Sequence, residues 1–444
     1  MIPYKVALAR YESPVTSVQK AIEKCDGLKN LPKNGKVYIK PNIVMWTATA
    51  PFPKWGVITT SRVIEDMVIL LKDMGISDIT IGEGIVSLNH KDRDTSAHAF
   101  RTLGYETLNK RYGVKSIDVF DRPFEKKQLS GDIELSFNTD ILESDFVVNI
   151  PVLKTHAQTV VSLGIKNLKG MIDIPSRKKC HNPDPEKNLH YHVSKLHEAM
   201  PPMLTLIDGI YSLERGPAFD GRPIRSDILV ASADILSADM VGAKILGHDP
   251  DNVPYIKYAS ETAGRKADLT DIIIAAEPDG LTLDSATRFH NNDFPYTEDG
   301  SLPVAMDKRG ITGISYRKYD LTMCTYCSVL NAVVLTAVNF AWKNKPFDDI
   351  EVLTGKIMKP TKGKKKTILL GKCMYQANKN NPDINEMIAV KGCPPDPMKT
   401  LDALQKAGID ADPNLFCHVD QLPSFFMPRF AGRPEFEESF FQVS

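Results

Sequence analysis

"DILVASADILSADMVGAKILG", residues 227–247, decides the fold class. Residues 227–234 are a short apolar run of strand length, and residues 235–247 carry a helical pattern that stops at Gly247. A buried strand feeding directly into a helix is the repeating unit of an α/β protein. The same grammar recurs outward from this stretch. "KVYIKPNIV" (36–44), "DITIGEG" (78–84), "DFVVNIPVL" (145–153) and "MLTLIDGIY" (203–211) read as strands, and "RVIEDMVILLKDMG" (62–75) as an amphipathic helix closed by Gly75. Runs rich in Val and Ile alternating with helices predict an α/β fold with a largely parallel sheet and flanking helices. Such sheets bind ligands beyond the carboxyl ends of their strands, where Lys40, Asn42, Glu83, Lys154, His156, Asp208 and Asp234 are expected.

Residues 1–290 are expected to form this α/β domain. The polar, turn-rich stretch 291–320 reads as a connector. Residues 321–420 predict a smaller α/β unit: a helix from near Cys327, strands at "KKTILLGKC" (365–373) and "NEMIAVKGCPP" (385–395), and a helix at "MKTLDALQKAGI" (398–409). Residues 421–444, rich in Phe and Pro, read as an arm that packs on this chain or forms a homodimer with a second copy.

With 42% hydrophobic and 25% charged residues, the chain has the composition of a soluble globular protein. Basic and acidic residues balance at 55 each, which argues against nucleic acid as a partner. The lysine cluster 359–366 reads as a solvated turn. The opening "MIPYKVALARYESP" lacks the apolar core of a secretory signal, and Val329–Trp342 is too short and too polar for a membrane span. A cytoplasmic location is expected. Seven cysteines in a reducing compartment point to ligands or core residues, not to disulfides.

Four of those cysteines share a pattern. Cys324 and Cys327 form a C-x-x-C pair at a helix start, and Cys373 and Cys393 each follow a strand. A helix N-terminus favours thiolates, and Gly371 and Gly392 let the backbone come close. One C-x-x-C pair with two lone cysteines favours a [4Fe–4S] cluster, with zinc at the same residues, or unligated core cysteines, as the alternatives. "GCPPDP" (392–397) resembles the cluster-binding loop of the hydrogenase small subunit and the related complex I subunit. Cys25 and Cys417 read as structural, while Cys180 stands beside His181.

Residues 149–197 hold five of the ten histidines and seven lysines among Val, Leu, Ile and Gly. Lys154, His156, Lys166, Asn167, Lys169 and Lys178 read as an anion or cofactor site, since lysine neutralises phosphate or carboxylate and histidine moves protons or binds metal. The alternative is a basic surface face. His190 and His192 are a weak metal pair. Glu83, Asp208, Glu214 and Asp234 are each a general acid or base, or a helix cap or turn residue.

"IKPNIV", "TIGEG", "VVNIPVLKTH", "LGIKNLKGMI", "LIDGIYSLERGP" and the opening stretch together resemble domain-of-unknown-function family 362, over about residues 36–260. That resemblance implies association with iron–sulfur domains, often ferredoxin-like. The chain departs from it in lacking a C-x-x-C-x-x-C-x-x-x-C-P run. His156 and Lys166, ten residues apart, with His181 further on, are similar to the metal-ligand histidine, nucleotide-holding lysine and proton-shuttling histidine of the nickel-pincer lactate racemase. The glycine pair that precedes that lysine is reduced here to Leu163-Gly164-Ile165. The resemblance implies a shared fold, with a nickel-pincer nucleotide as a minority reading.

Three functions follow. The first is an anaerobic iron–sulfur oxidoreductase that takes electrons from a donor such as ferredoxin. It would reduce a small anionic substrate held by Lys40, Asn42, Glu83, Lys154, Asn167 and Lys169, with His156, Lys166, His181, Asp208 and Glu214 as catalytic candidates. The second is a racemase or isomerase with a structural cluster. The third is a non-catalytic electron-transfer or maturation subunit.

Overall fold

The computed structural model describes residues 3–87, 94–288 and 295–443. The domain boundary expected between residues 290 and 291 lies outside these residues. The chain divides into two compact units. The first comprises Met1–Arg177, His190–Asn292 and Pro423–Ser444; the second comprises Lys178–Leu189 and Asp293–Leu422.

The first unit is built on a ten-stranded sheet. Its strands are β1 (Tyr4–Arg10), β2 (Val37–Lys40), β3 (Ile79–Glu83), β4 (Lys115–Asp118), β5 (Phe146–Asn149), β6 (Val152–His156), β7 (Val160–Ser162), β8 (Met203–Glu214), β9 (Arg222–Ser232) and β10 (Ile272–Glu277). The main order is β10-β1-β9-β8-β5-β2-β3-β4, with β6 pairing β7 and β8. Strands β2, β3, β4, β5 and β8 run parallel. β9, the strand of the opening stretch, runs antiparallel to both β1 and β8, and β7 runs antiparallel to β6. The run "DFVVNIPVL" contains two strands, β5 and the start of β6, because Pro151 has no N–H for a continuous ladder.

Helix α1 (Thr16–Lys24) and helix α2 (Ser61–Asp73) pack on this sheet; α2 turns Val63, Ile64, Met67, Val68 and Leu71 into the core. The Thr60 hydroxyl accepts from Val63 N as the α2 cap. A short helix α3 (Gly164–Asn167) and helix α4 (Ile174–Cys180) follow β7. Helix α5 (Ile235–Ile245) is buried nearly all round, as its continuous apolar composition requires. Asp234 caps it by accepting from Ser237 N at 2.8 Å and is ion-paired with Arg265 at 2.7 Å.

The aromatic arm packs on its own chain. Trp55 meets Phe430, Phe436 and Phe441 with ring centroids 4.8, 5.5 and 6.4 Å away. The Tyr211 hydroxyl donates to the Glu435 carbonyl at 3.0 Å. Arg429 Nη2 donates to the carbonyls of Phe219 and Gly221, both at 2.9 Å.

The second unit is a four-stranded, all-parallel sheet in chain order: β11 (Ile314–Tyr316), β12 (Ile350–Leu353), β13 (Lys366–Leu370) and β14 (Glu386–Val390). Helix α6 (Thr325–Ala341) connects β11 to β12 and buries Leu330, Val333, Val334, Ala337, Val338 and Ala341. Helix α7 (Lys372–Asn378) connects β13 to β14, and α8 (Pro397–Ala407) follows β14. The stretch read as a connector supplies Leu302, Met306, Ile311, Ile314 and Tyr316 to this core. No helix of the described residues is long and apolar enough to cross a membrane.

Candidate functional site

In the first unit, the carboxyl ends of β2 and β3, β6 and the short helix α3 deliver one buried polar network. Lys40 and Lys154, 0% and 1% exposed, are its two cations. Lys40 Nζ donates to Glu83 Oε2 at 2.8 Å, to the Pro41 carbonyl at 2.5 Å and to Asn167 Oδ1 at 3.3 Å. Asn42 Nδ2 donates to the same Asn167 oxygen at 2.9 Å. Lys154 Nζ donates to Asn42 Oδ1 and to the Val57 carbonyl, both at 2.6 Å. Five of the six expected substrate-binding residues thus meet in one place. The sixth, Lys169, is buried in the next turn, Leu168–Met171.

Two charged ammonium groups face a single carboxylate here, and neither is in water. Burial pushes the Lys154 ammonium down from its usual range to about 7, opposed by attraction to Glu83. Burial lowers Lys40 too, against its direct ion pair with Glu83. A lysine that titrates near neutrality is suited to giving and taking a proton.

The backbone closes tightly around this network, which accounts for the glycines of "TIGEG" and "LGIKNLKG". A Cβ on Gly170 would stand 2.3 Å from Glu83 Oε1 and 2.7 Å from Lys40 Cε. One on Gly84 would meet Arg177 Nη2 at 2.3 Å. Asn149, which lies in the motif "VVNIPVLKTH" but is not among the expected site residues, ties the pieces: it accepts from Asn167 Nδ2 at 2.8 Å and donates to the Gly164 carbonyl at 3.0 Å. Asp239, also unforeseen, accepts from the N–H groups of Gly164 at 2.6 Å and Ile165 at 3.1 Å, and from the Tyr255 hydroxyl at 3.0 Å. Burial raises its carboxyl to about 7. The available signal was a polar residue ending or interrupting an apolar run: Asn149 after "FVV", Asp239 within "ILSADMVG".

The catalytic candidates are placed differently. His156 ends β6, and its Nδ1 faces the backbone N–H groups of Gln158 at 3.1 Å and Thr159 at 3.3 Å. Accepting there puts the imidazole proton on Nε2, whereas metal-bound histidines donate through their second nitrogen. Lys166 lies on α3, half-buried. Asp208 sits within β8, not beyond a strand end; its carboxylate accepts from Thr60 N at 2.7 Å and Ile210 N at 3.1 Å, and burial raises it. That is a staple between β8 and the start of α2. Glu214 ends β8 and lies 3.6 Å from Arg222. His190 and His192 lie two apart on the short helix Leu189–Ser194, and burial lowers His190 to about 4.

His181 belongs to the second unit, with the cysteines. Its Nδ1 donates to the Leu321 carbonyl at 2.8 Å. Cys324 is the cap residue of α6 and Cys327 lies in its first turn. Cys373 falls in the first turn of α7, three residues after β13 ends, and Cys393 lies three residues after β14. All four therefore stand at the carboxyl edge of the parallel sheet. The cysteine loops after β13 and β14 are tied by Gly371 N to the Val390 carbonyl at 2.8 Å and Lys372 N to the Gly392 carbonyl at 2.9 Å. Gly371 has φ +90°, and a Cβ there would stand 3.4 Å from Cys327 Sγ and from Pro395 Cγ. A hydrogen bond to Cys324, burial, and then the charges of Cys324, Cys373 and Cys393 all hold the Cys327 thiol well above its ordinary range. Thiols that raise one another in this way are stabilised as thiolates by a shared cationic centre. None of the seven cysteines is in a disulfide. Among the described residues, no three His, Cys, Asp or Glu side chains stand as the ligand set of one metal ion.

The first unit is thus an α/β domain whose strand ends enclose a lysine- and asparagine-rich network. Residues 37–244 of it match the family described as Domain of unknown function (DUF362). The thylakoid-associated protein sll1697 of Synechocystis is 27% identical over 252 residues, covering 54% of this chain and 73% of the relative. The lactate racemase apoprotein of Thermoanaerobacterium thermosaccharolyticum aligns with a TM-score of 0.32 and 15% identity, over 54% of this chain and 56% of that one.

Proposed function

We propose that the protein is an iron–sulfur oxidoreductase, with an electron-exchanging centre in the second unit and an anion-binding, proton-donating site in the first. The observation that carries this reading is the gathering of Cys324, Cys327, Cys373 and Cys393 at one sheet edge, with Gly371 lacking a Cβ beside Cys327 Sγ. Four thiols and no histidine or carboxylate is the donor set of a [4Fe–4S] cluster. A cubane carries one thiolate on each iron, so its ligands stand further apart than those around one zinc ion. When bound, such a cluster supplies one-electron transfer.

The first unit contributes binding and protons. Lys40 is held by Glu83 and Asn167; Lys154 is held by Asn42 and Val57. The network carries one more cation than anion, which favours a carboxylate, a thioester enolate or a phosphate. Reduction of a polarised double bond takes two electrons and two protons. The electrons arrive singly from an external donor of ferredoxin type; the Lys154 ammonium gives one proton, solvent admitted with the substrate gives the second, and Lys154 is reprotonated between turnovers. The thiols suit a cytoplasmic, reducing setting.

Anaerobic protein reconstituted with iron and sulfide, then reduced by dithionite, tests this. Reoxidation by a panel of unsaturated carboxylates and thioesters is expected for the wild type. It is expected to be at least tenfold slower in Lys154→Met. Failure to take up a reducible cluster would overturn the reading, as would equal rates in the variant.

A further inference from the structure

Four parallel strands of the second unit end on one edge, and three of the segments that follow them deliver the cysteines. The segment after β12 delivers Thr354-Gly355-Lys356 instead. We propose that Lys356, assisted by Lys178, is a positioning residue that supplies fixed positive charge to the four-cysteine centre and so raises its reduction potential. This rests on the reading that the cysteines hold a cluster.

The lysine loop is built onto the cysteine edge. Gly355 has φ +81°, and a Cβ there would stand 2.8 Å from Thr322 Oγ1. Lys356 N donates to that same hydroxyl at 2.8 Å, two residues before Cys324. The Lys356 ammonium is not left to swing in solvent. It donates to the carbonyl of Lys178 at 3.3 Å and to the carbonyl of His181. His181 in turn donates to the Leu321 carbonyl, which fixes residues 178–181 against the segment entering α6. The Lys178 ammonium lies 5.7 Å from the ring centre of Tyr326, between Cys324 and Cys327 in sequence.

A cluster held by four thiolates is anionic, and one added electron makes it more so. A nearby fixed cation therefore stabilises the reduced form more than the oxidised form. The reaction is one electron from dithionite to the iron, with no proton taken up and no ligand lost.

The test is an anaerobic redox titration of wild type, Lys356→Met, Lys178→Gln and Lys356→Arg, with iron and sulfide measured on each. Removing either charge is expected to lower the equilibrium constant for reduction about tenfold, a fall in potential of about 59 mV for one electron. Lys356→Arg is expected to retain the wild-type potential. Should Lys356→Met not load iron, Lys178→Gln carries the same readout, because it keeps the carbonyl to which Lys356 binds. Wild-type potentials in the loaded charge-removing variants would overturn this inference and leave the cluster standing. Wild-type protein that binds no iron would overturn both.

Discussion

Lys154 is the residue with the most at stake in the first unit. Its folded-state pKa of about 7 lies below the usual lysine value. The unfolded chain therefore holds a proton that the folded chain lacks between about pH 7 and 10.5, and stability rises with pH across that window. Relative to Lys154→Met, the wild type is expected to gain on the order of several kcal/mol as pH rises from 7 to 10, read by urea unfolding. A flat difference would place Lys154 in contact with water. The Lys40–Glu83 pair makes a second case. Lys40→Met strands Glu83 in the interior and is expected to cost about 3–5 kcal/mol, while replacing both partners by apolar residues costs less. A double-mutant cycle on denaturation midpoints checks this. These residues were legible because a lysine, asparagine or glutamate at the end of an apolar run has few reasons to be there. Asp208 follows the same sequence pattern but lies inside β8, because the strand continues to Glu214. The sequence alone shows no break that would have separated the two cases.

At the scale of elements, the glycine motifs are explained by what their missing side chains make room for. Gly170→Ala would drive a methyl into Glu83 and Lys40 and is expected to destabilise by about 1–3 kcal/mol, measured by thermal or urea unfolding. Gly264→Ala is a useful contrast: it strains a positive φ but meets nothing within 4 Å. Strand–helix alternation was readable from apolar run length. Strand direction was not. β9 ends in a buried apolar run like those of the parallel strands, and only its pairing with β8 and β1 shows that it runs the other way. The cysteine loops were readable from glycine and spacing, but Lys356 was not, since a lysine after a strand is ordinary until its carbonyl partners are known.

Over the whole molecule, the sequence announced two α/β units but not the way the chain is shared between them. Residues 178–189 leave the first unit to join the second, and Pro423–Ser444 returns to the first. No composition change marks the first crossing, whereas the Phe- and Pro-rich stretch read as an arm from residue 421 falls at the second. His181, grouped by sequence with His156 and Lys166, is thereby assigned to the cysteine unit. The arm accounts for part of the first unit's stability. Deleting residues 434–444 removes two of the three rings against Trp55 and the carbonyl that accepts from Tyr211. Several kcal/mol are expected to be lost, with a quenching change in Trp55 fluorescence. The central claim is that the four cysteines at the sheet edge hold iron and sulfide. The most direct test is iron, sulfide, zinc and nickel content on anaerobically purified protein beside Cys393→Ser. About four irons and four sulfides per chain, lost in the variant, is the predicted result; stoichiometric zinc, nickel, or no metal at all would contradict it.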